Sequence, residues 1–116
     1  MSYKIKVSPT FVKNIKRLKK KYPSIKDDYA NFLDEIKTNP RTGIDLGNGL
    51  RKVRMAIKSK GRGKSHGARV ITYTIITSVN EGEIILLTIY DKSERENISR
   101  QEIEEIVNGK LKINLT

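Results

Sequence analysis

The segment Ile84-Ile85-Leu86-Leu87-Thr88-Ile89-Tyr90 constrains the fold most, because it is apolar on both of the faces that a strand presents. Such a run is expected as an interior strand, covered above and below. Upstream segments can supply that cover. Tyr3-Lys4-Ile5-Lys6-Val7 alternates with period two and predicts a short strand. Ser8-Pro9 marks a helix start, with serine as N-cap and proline at the first helical position. Phe11, Ile15, Leu18 and Tyr22 then fall on one helix face, while Lys13, Lys16, Arg17, Lys19, Lys20 and Lys21 hold the rest. Pro23-Ser24 breaks this helix and caps a second, whose buried stripe is Ile25, Tyr29, Phe32, Leu33 and Ile36 before Asn39-Pro40 ends it. Two amphipathic helices so tightly joined predict a hairpin packed by one face on a sheet.

A Gly-rich connection, Gly43 to Gly49, leads into Leu50 to Ile57, where Val53, Met55 and Ile57 share one strand face and Lys52, Arg54 and Lys58 share the other. A loop from Ser59 to Gly67 separates this strand from the next, Ala68 to Thr77, and a turn at Asn80-Glu81-Gly82 joins that one to the apolar run. Ser99 and Glu102 form a capping box flanked by Ile98 and Ile103, which predicts a third helix from Arg100 to Asn108, stopped by Gly109. The tail Lys110 to Thr116 reads as a loop, a partial strand or disorder. With no repeats and no linker, residues 1–116 are expected to form one α+β domain of order β-α-α-β-β-β-α. Its sheet is expected to be mainly antiparallel, packed against the N-terminal helical hairpin, with a short C-terminal helix.

The formal net charge is +11 on 116 residues, and neutralising phosphates is the usual use of such an excess. An anionic membrane surface or an acidic protein partner would also use it. Its distribution sharpens the reading: no Asp or Glu occurs before Asp27, and none between Lys52 and Arg69, whereas acidic residues gather from Glu94 to Glu105. The absence of cysteine excludes disulfides and thiolate chemistry, and the single histidine, His66, leaves an ordinary zinc site short of ligands. Any metal would have to be held mostly by carboxylates. No apolar run is long enough to cross a bilayer and no secretory signal is present, so a cytoplasmic protein without membrane partners is expected.

The stretches Gly49-Leu50-Arg51-Lys52-Val53-Arg54, Lys58-Ser59-Lys60-Gly61-Arg62-Gly63-Lys64 and Gly67-Ala68-Arg69-Val70-Ile71-Thr72-Tyr73, followed by Leu86 to Glu94, resemble the RelE/ParE toxin superfamily. The closest likeness is to RelE and HigB-like toxins, in which a glycine-leucine-arginine-lysine strand leads to a lysine- and glycine-rich loop. The resemblance implies a type II toxin that enters the decoding site of the 70S ribosome, contacts 16S rRNA and mRNA, and cleaves the message without metal or small-molecule cofactor. The ribose 2′-hydroxyl would attack the adjacent phosphate, and a cognate antitoxin from the same operon, acidic where it covers the toxin, would hold the enzyme inactive. Lys52 and Arg54 fall where the family has two strand lysines, and Arg69 falls on the arginine that opens the next strand. The C-terminal tyrosine of many members is Ser99 here, as HigB-like relatives also lack it, and the arginine that follows the strand-ending lysine, Lys92, is Ser93.

Phosphoryl transfer of this kind needs charge stabilisation, a base and an acid. Arginines clamp phosphate but do not shuttle protons. A lysine crowded by other cations can, which makes Lys52 and Lys92 candidates, while His66 offers a side chain type that titrates near neutrality, although a lone loop histidine is more often just a solvated residue. The expected catalytic set is Lys52, Arg54, Arg69, Lys92 and Tyr90, although Tyr90 ends a buried strand and has packing as its alternative. Lys58, Lys60, Arg62 and Lys64 suit a phosphate-gripping loop, with a solubilising turn as the bland alternative. Lys16 and Lys20 suit nonspecific contact with RNA phosphates from a solvated helix face. Tyr73 reads as core or rim, or as a stacking platform for a base, and Glu94 as a residue that orients a nearby cation. Two other functions fit the same fold and charge: a ParE-like inhibitor of DNA gyrase, and an RNA-binding module without catalysis.

Overall fold

Covering the run at Ile84 to Tyr90 decides the architecture. The computed structural model describes residues 2–61 and 63–115, so Met1, Arg62 and Thr116 lie outside it. The elements are β1 (Ser2–Val7), α1 (Pro9–Lys21), α2 (Ile25–Thr38), β2 (Ile44–Gly47), β3 (Leu50–Met55), β4 (Ala68–Ile76), β5 (Glu81–Asp91) and α3 (Arg100–Leu115). Two 3₁₀ turns, Lys58–Lys60 and Lys64–His66, lie between β3 and β4. The five strands are ordered β1-β5-β4-β3-β2, so β5 is interior. It pairs parallel with β1 and antiparallel with β4, which makes the sheet mixed but mainly antiparallel.

Each face of the sheet has its own core. Phe11 and Leu18 of α1 and Ile25, Phe32 and Ile36 of α2 pack on Val53, Met55, Val70, Ile84, Leu86 and Ile89. On the other face Ile98, just before α3, and Ile103 in its first turn cover Leu50, Ile71, Ile85, Leu87 and Tyr90. Strict alternation along β5 would place Tyr90 with Ile84 and Leu86. A bulge prevents this: Ile71 pairs with Thr88 while Thr72 pairs with Leu86, so Leu87 is an extra residue and the side-chain parity flips beyond it. Tyr90 is thereby turned to the α3 face, and Asp91 to the hairpin face, where the Tyr22 hydroxyl donates to it.

Ser8 caps α1 as expected, accepting from Phe11 N at 3.1 Å, and its hydroxyl also donates to the Leu87 carbonyl. One small side chain thus joins the helix start to the interior strand. Ser8→Ala is expected to lower stability by about 2 kcal/mol in urea denaturation, because a cap and a buried acceptor are lost together. Ser24 behaves differently. Its backbone is already helical and its hydroxyl donates to Asp28 at 2.6 Å, a charge-assisted bond that outcompetes capping, while also accepting from Ser59 N.

The structure departs from the sequence expectation in several places, the simplest being that β3 ends at Met55 rather than Ile57. The Gly43 to Gly49 connection contains β2, which forms a hairpin with β3 through Asn48 (φ 55°) and Gly49 (φ 84°), two left-handed residues in the turn. The observed order is therefore β-α-α-β-β-β-β-α. Glu81 and Gly82 belong to β5 rather than to the preceding turn. Gly82 is needed for close packing, since a Cβ there would lie 2.8 Å from the Tyr3 ring. The capping box of α3 is half formed: Glu102 N donates to Ser99 Oγ at 3.1 Å, but the Glu102 carboxylate is taken by both terminal nitrogens of Arg95. Finally, α3 does not stop at Gly109, which has no positive φ, but continues to Leu115. One interior glycine costs a helix only about 1 kcal/mol, too little to end it unaided.

Candidate active site

β2 pairs with β3 only from Leu50 to Lys52, so among the described residues no strand neighbours the outer edge of β3 from Val53 to Met55. A cleft of about 350 Å³ opens at this edge. Lys52 and Arg54 line it from β3, Arg69 from β4, Lys64 from the second 3₁₀ turn and Lys92 from the end of β5; Glu35 of α2 and Thr42 to Ile44 complete its wall. The strand register sets part of this convergence. Arg54 lies opposite Arg69, and Arg69 opposite Tyr90, so the three stand in one row across β3, β4 and β5. Lys52, two residues from Arg54, shares its face and donates weakly to Asn97 Oδ1 at 3.4 Å.

Arg69 is 5% exposed. Its guanidinium donates to the carbonyls of Lys64, Ser65 and Ala68 at 3.1–3.2 Å, and among the described residues no carboxylate pairs with it. Burial, and after it the like charge of Arg54, push this guanidinium below its ordinary pKa. Arginine remains protonated even so, so the site holds a buried cation whose partners are all neutral. The Tyr90 hydroxyl is buried without a hydrogen-bond partner among the described residues, and the Arg95 guanidinium lies 5.6 Å from its ring centroid. Burial raises the phenol pKa, against the pull of Arg69 and Arg95. Tyr90 stands beside the cleft in the α3-face core and does not line it.

The other expected cations are dispersed. Lys60 reaches 31 residues along the chain to Asp91 Oδ1 at 2.6 Å and also donates to the His66 carbonyl and Ser93 Oγ, so its ammonium ties the basic loop to the end of β5. Lys58 is exposed, with its backbone N–H on the buried carboxylate of Asp28. Lys16 and Lys20 are exposed on α1 and outside the cleft, His66 is an exposed turn residue, and Arg62 lies outside the described residues. Tyr73 packs against the α3-face core. Glu94 accepts from Lys21 and Arg17 at 2.8 Å each, and these bonds, Lys21 foremost, hold its carboxyl below the usual range.

Two acidic residues escaped the sequence, Glu35 in the wall of the cleft and Asp91 outside it, beneath the basic loop. Glu35 pairs with Lys64 across the cleft, yet on a helix face it looked like any solvated residue. Asp91 is wholly buried among Lys60, Tyr22 and Ser93. Burial pushes its carboxyl up, and those hydrogen bonds outweigh burial and hold it well below the usual carboxylate range. A visible signal existed for Asp91, namely an acid ending an apolar strand in a chain whose loop cations need an anion.

A mainly antiparallel mixed sheet carrying a helical hairpin on one face and a C-terminal helix on the other, with cations from the middle strands in one cleft, defines the RelE-like class of fold. The sequence matches the family described as the RelE toxin of the RelE/RelB toxin-antitoxin system over residues 11–111, and the chain belongs to that family. It is therefore the toxin of a toxin-antitoxin pair, and a cognate antitoxin is its partner. No helix among the described residues is long and apolar enough to cross a membrane, and no group of three or more His, Cys, Asp or Glu among them is placed to hold a metal ion.

Proposed function

We propose that this toxin is a metal-independent, ribosome-dependent endoribonuclease that acts in the cytoplasm as a single domain. Bound to the 70S ribosome, it cuts translated mRNA by attack of a ribose 2′-hydroxyl on the adjacent phosphate. Toxins of the family are endoribonucleases in general, which supports the reaction class. The observation that carries the reading is Arg69, a buried guanidinium with neutral partners only, facing a cleft that holds four more cations. Burying an uncompensated cation is unfavourable until an anion arrives, so the site is poised for a phosphate group. Lys52, Arg54 and Lys92 stand around the same space, able to hold the non-bridging oxygens as charge develops and to protonate the leaving oxygen. Lys58, Lys64, Lys16 and Lys20 serve to hold 16S rRNA and message, and the antitoxin silences the enzyme by laying acidic residues over the cleft.

The test is induced expression with mapping of RNA 5′ ends, followed by the purified protein on programmed ribosomes. Translated messages are expected to be cut, untranslated ones spared, and the product to end in a cyclic phosphate. The double variant Lys52→Ala/Arg54→Ala is expected to lose at least about 100-fold in cleavage rate while remaining folded. Intact messages with a DNA-damage response would instead point to gyrase, and harmless expression to an RNA-binding module.

A further inference from the structure

The cations of the cleft explain phosphate binding but leave the first proton transfer without an acceptor. At neutral pH a base must bring a free lone pair. Arginine and protonated lysine have none, and Thr42 contributes only a weakly basic hydroxyl. Among the described residues that line the cleft, one side chain meets the requirement, Glu35 near the end of α2. Its Oε1 accepts from Lys64 Nζ, while Oε2 has no hydrogen-bond partner among the described residues, and the side chain is 42% exposed. The carboxylate is therefore anchored by one oxygen and accessible at the other.

We propose that Glu35 is the general base of the cleavage reaction, an inference that rests on the nuclease reading above. Oε2 takes the proton of the ribose 2′-hydroxyl, and the oxygen so released forms a bond to the adjacent phosphorus. The P–O5′ bond breaks, its electron pair leaves on the 5′-oxygen, and an ammonium proton from Lys52 or Lys92 satisfies that oxygen. The products are a 2′,3′-cyclic phosphate and a 5′-hydroxyl; Glu35 then returns its proton to solvent and the lysine regains one. Lys64 has a double role in this arrangement, fixing Oε1 and standing beside the phosphate. The charged groups facing Glu35 are Lys64 from the loop, Lys52 and Arg54 from β3, Arg69 from β4 and Lys92 beyond β5, with Asp34 as its acidic neighbour on α2.

The experiment is single-turnover cleavage of a short mRNA held in the decoding site of purified 70S ribosomes, from pH 5 to pH 9, with the wild type, Glu35→Gln and Glu35→Asp. Glu35→Gln is expected to lower the maximal rate at least about 100-fold, with the half-saturating toxin concentration little changed. The acid limb of the pH profile should disappear with it, and Glu35→Asp should restore part of the rate together with that limb. Glu35 is partly exposed, so thermal unfolding of Glu35→Gln should match the wild type. A Glu35→Gln rate within threefold of an active wild type overturns this inference and leaves the nuclease reading intact. So does a loss confined to half-saturation, or a slower rate with the acid limb unchanged, since either reduces Glu35 to a partner that positions Lys64. A wild type that cuts nothing on the ribosome removes the nuclease reading and this inference together.

Discussion

Asp91→Ala is expected to lower stability at pH 7 by about 3–5 kcal/mol, the usual consequence of removing one partner from a buried ion pair. The carboxylate is fully buried and gathers Lys60 at 2.6 Å, the Tyr22 hydroxyl, and the backbone N–H and hydroxyl of Ser93 at 2.9 and 2.8 Å. Alanine would leave the Lys60 ammonium, whose side chain is 14% exposed, beside a cavity with no counter-charge. The same cluster predicts acid sensitivity. The folded-state pKa of Asp91 lies below its ordinary value of 3.8, so the unfolded chain binds the proton more tightly. Its contribution is complete above that value and is lost progressively as pH falls below about 4 towards the folded pKa. Urea denaturation should therefore show a wild-type decline below pH 4 that is much smaller in Asp91→Ala. Exchanging both charges for apolar groups, Lys60→Met with Asp91→Leu, should recover at least about 1 kcal/mol over the sum of the single losses. An additive result would remove the ion pair as the cause.

That cluster also explains why the sequence revealed some of this molecule and hid the rest. Helix α1 was legible because Phe11, Ile15, Leu18 and Tyr22 repeat with the helical period, and one face of a helix can be buried only if its spacing allows it. Strand β3 was legible for the same reason with period two, and its exposed set, Lys52 and Arg54, lies in the cleft. Strand β5 carries apolar residues on both faces, so a one-residue bulge leaves no trace in its pattern. Which of Tyr90 and Asp91 faces the hairpin could be decided only by the pairing of Ile71 and Thr72 with Thr88 and Leu86. Strand β2 was hidden by glycines, although Asn48-Gly49 is itself a hairpin signal. Counting the cations of the basic loop together treated Lys60 as equivalent to Lys64. A fold that brings Asp91 to one and Glu35 to the other gives them different work, and such partners, far apart in sequence, are set by tertiary structure alone.

Arg69→Ala is expected to reduce ribosome-dependent cleavage by about 10²–10³-fold, the effect of removing one preorganised charge donor from a transition state. Stability should change little by comparison. Three carbonyl hydrogen bonds are lost, each worth on the order of 1 kcal/mol net, but so are the burial of an unpaired cation and its repulsion from Arg54 across the strand pair. These opposing changes should leave thermal unfolding within a few degrees of the wild type. An arginine kept for structure would give the reverse pattern, a large loss of stability with cleavage reduced only in proportion to the unfolded fraction. Arg69→Lys separates the charge from the fork: the ammonium cannot hold the Lys64 and Ser65 carbonyls and a phosphate in the same planar geometry. Its maximal rate should therefore lie much nearer that of the alanine variant than that of the wild type. In cells the ranking should be the same, with growth arrest on induction lost in Arg69→Ala and strongly weakened in Arg69→Lys. Full arrest by a folded Arg69→Ala protein would take the buried guanidinium out of the reaction and leave it as a loop anchor.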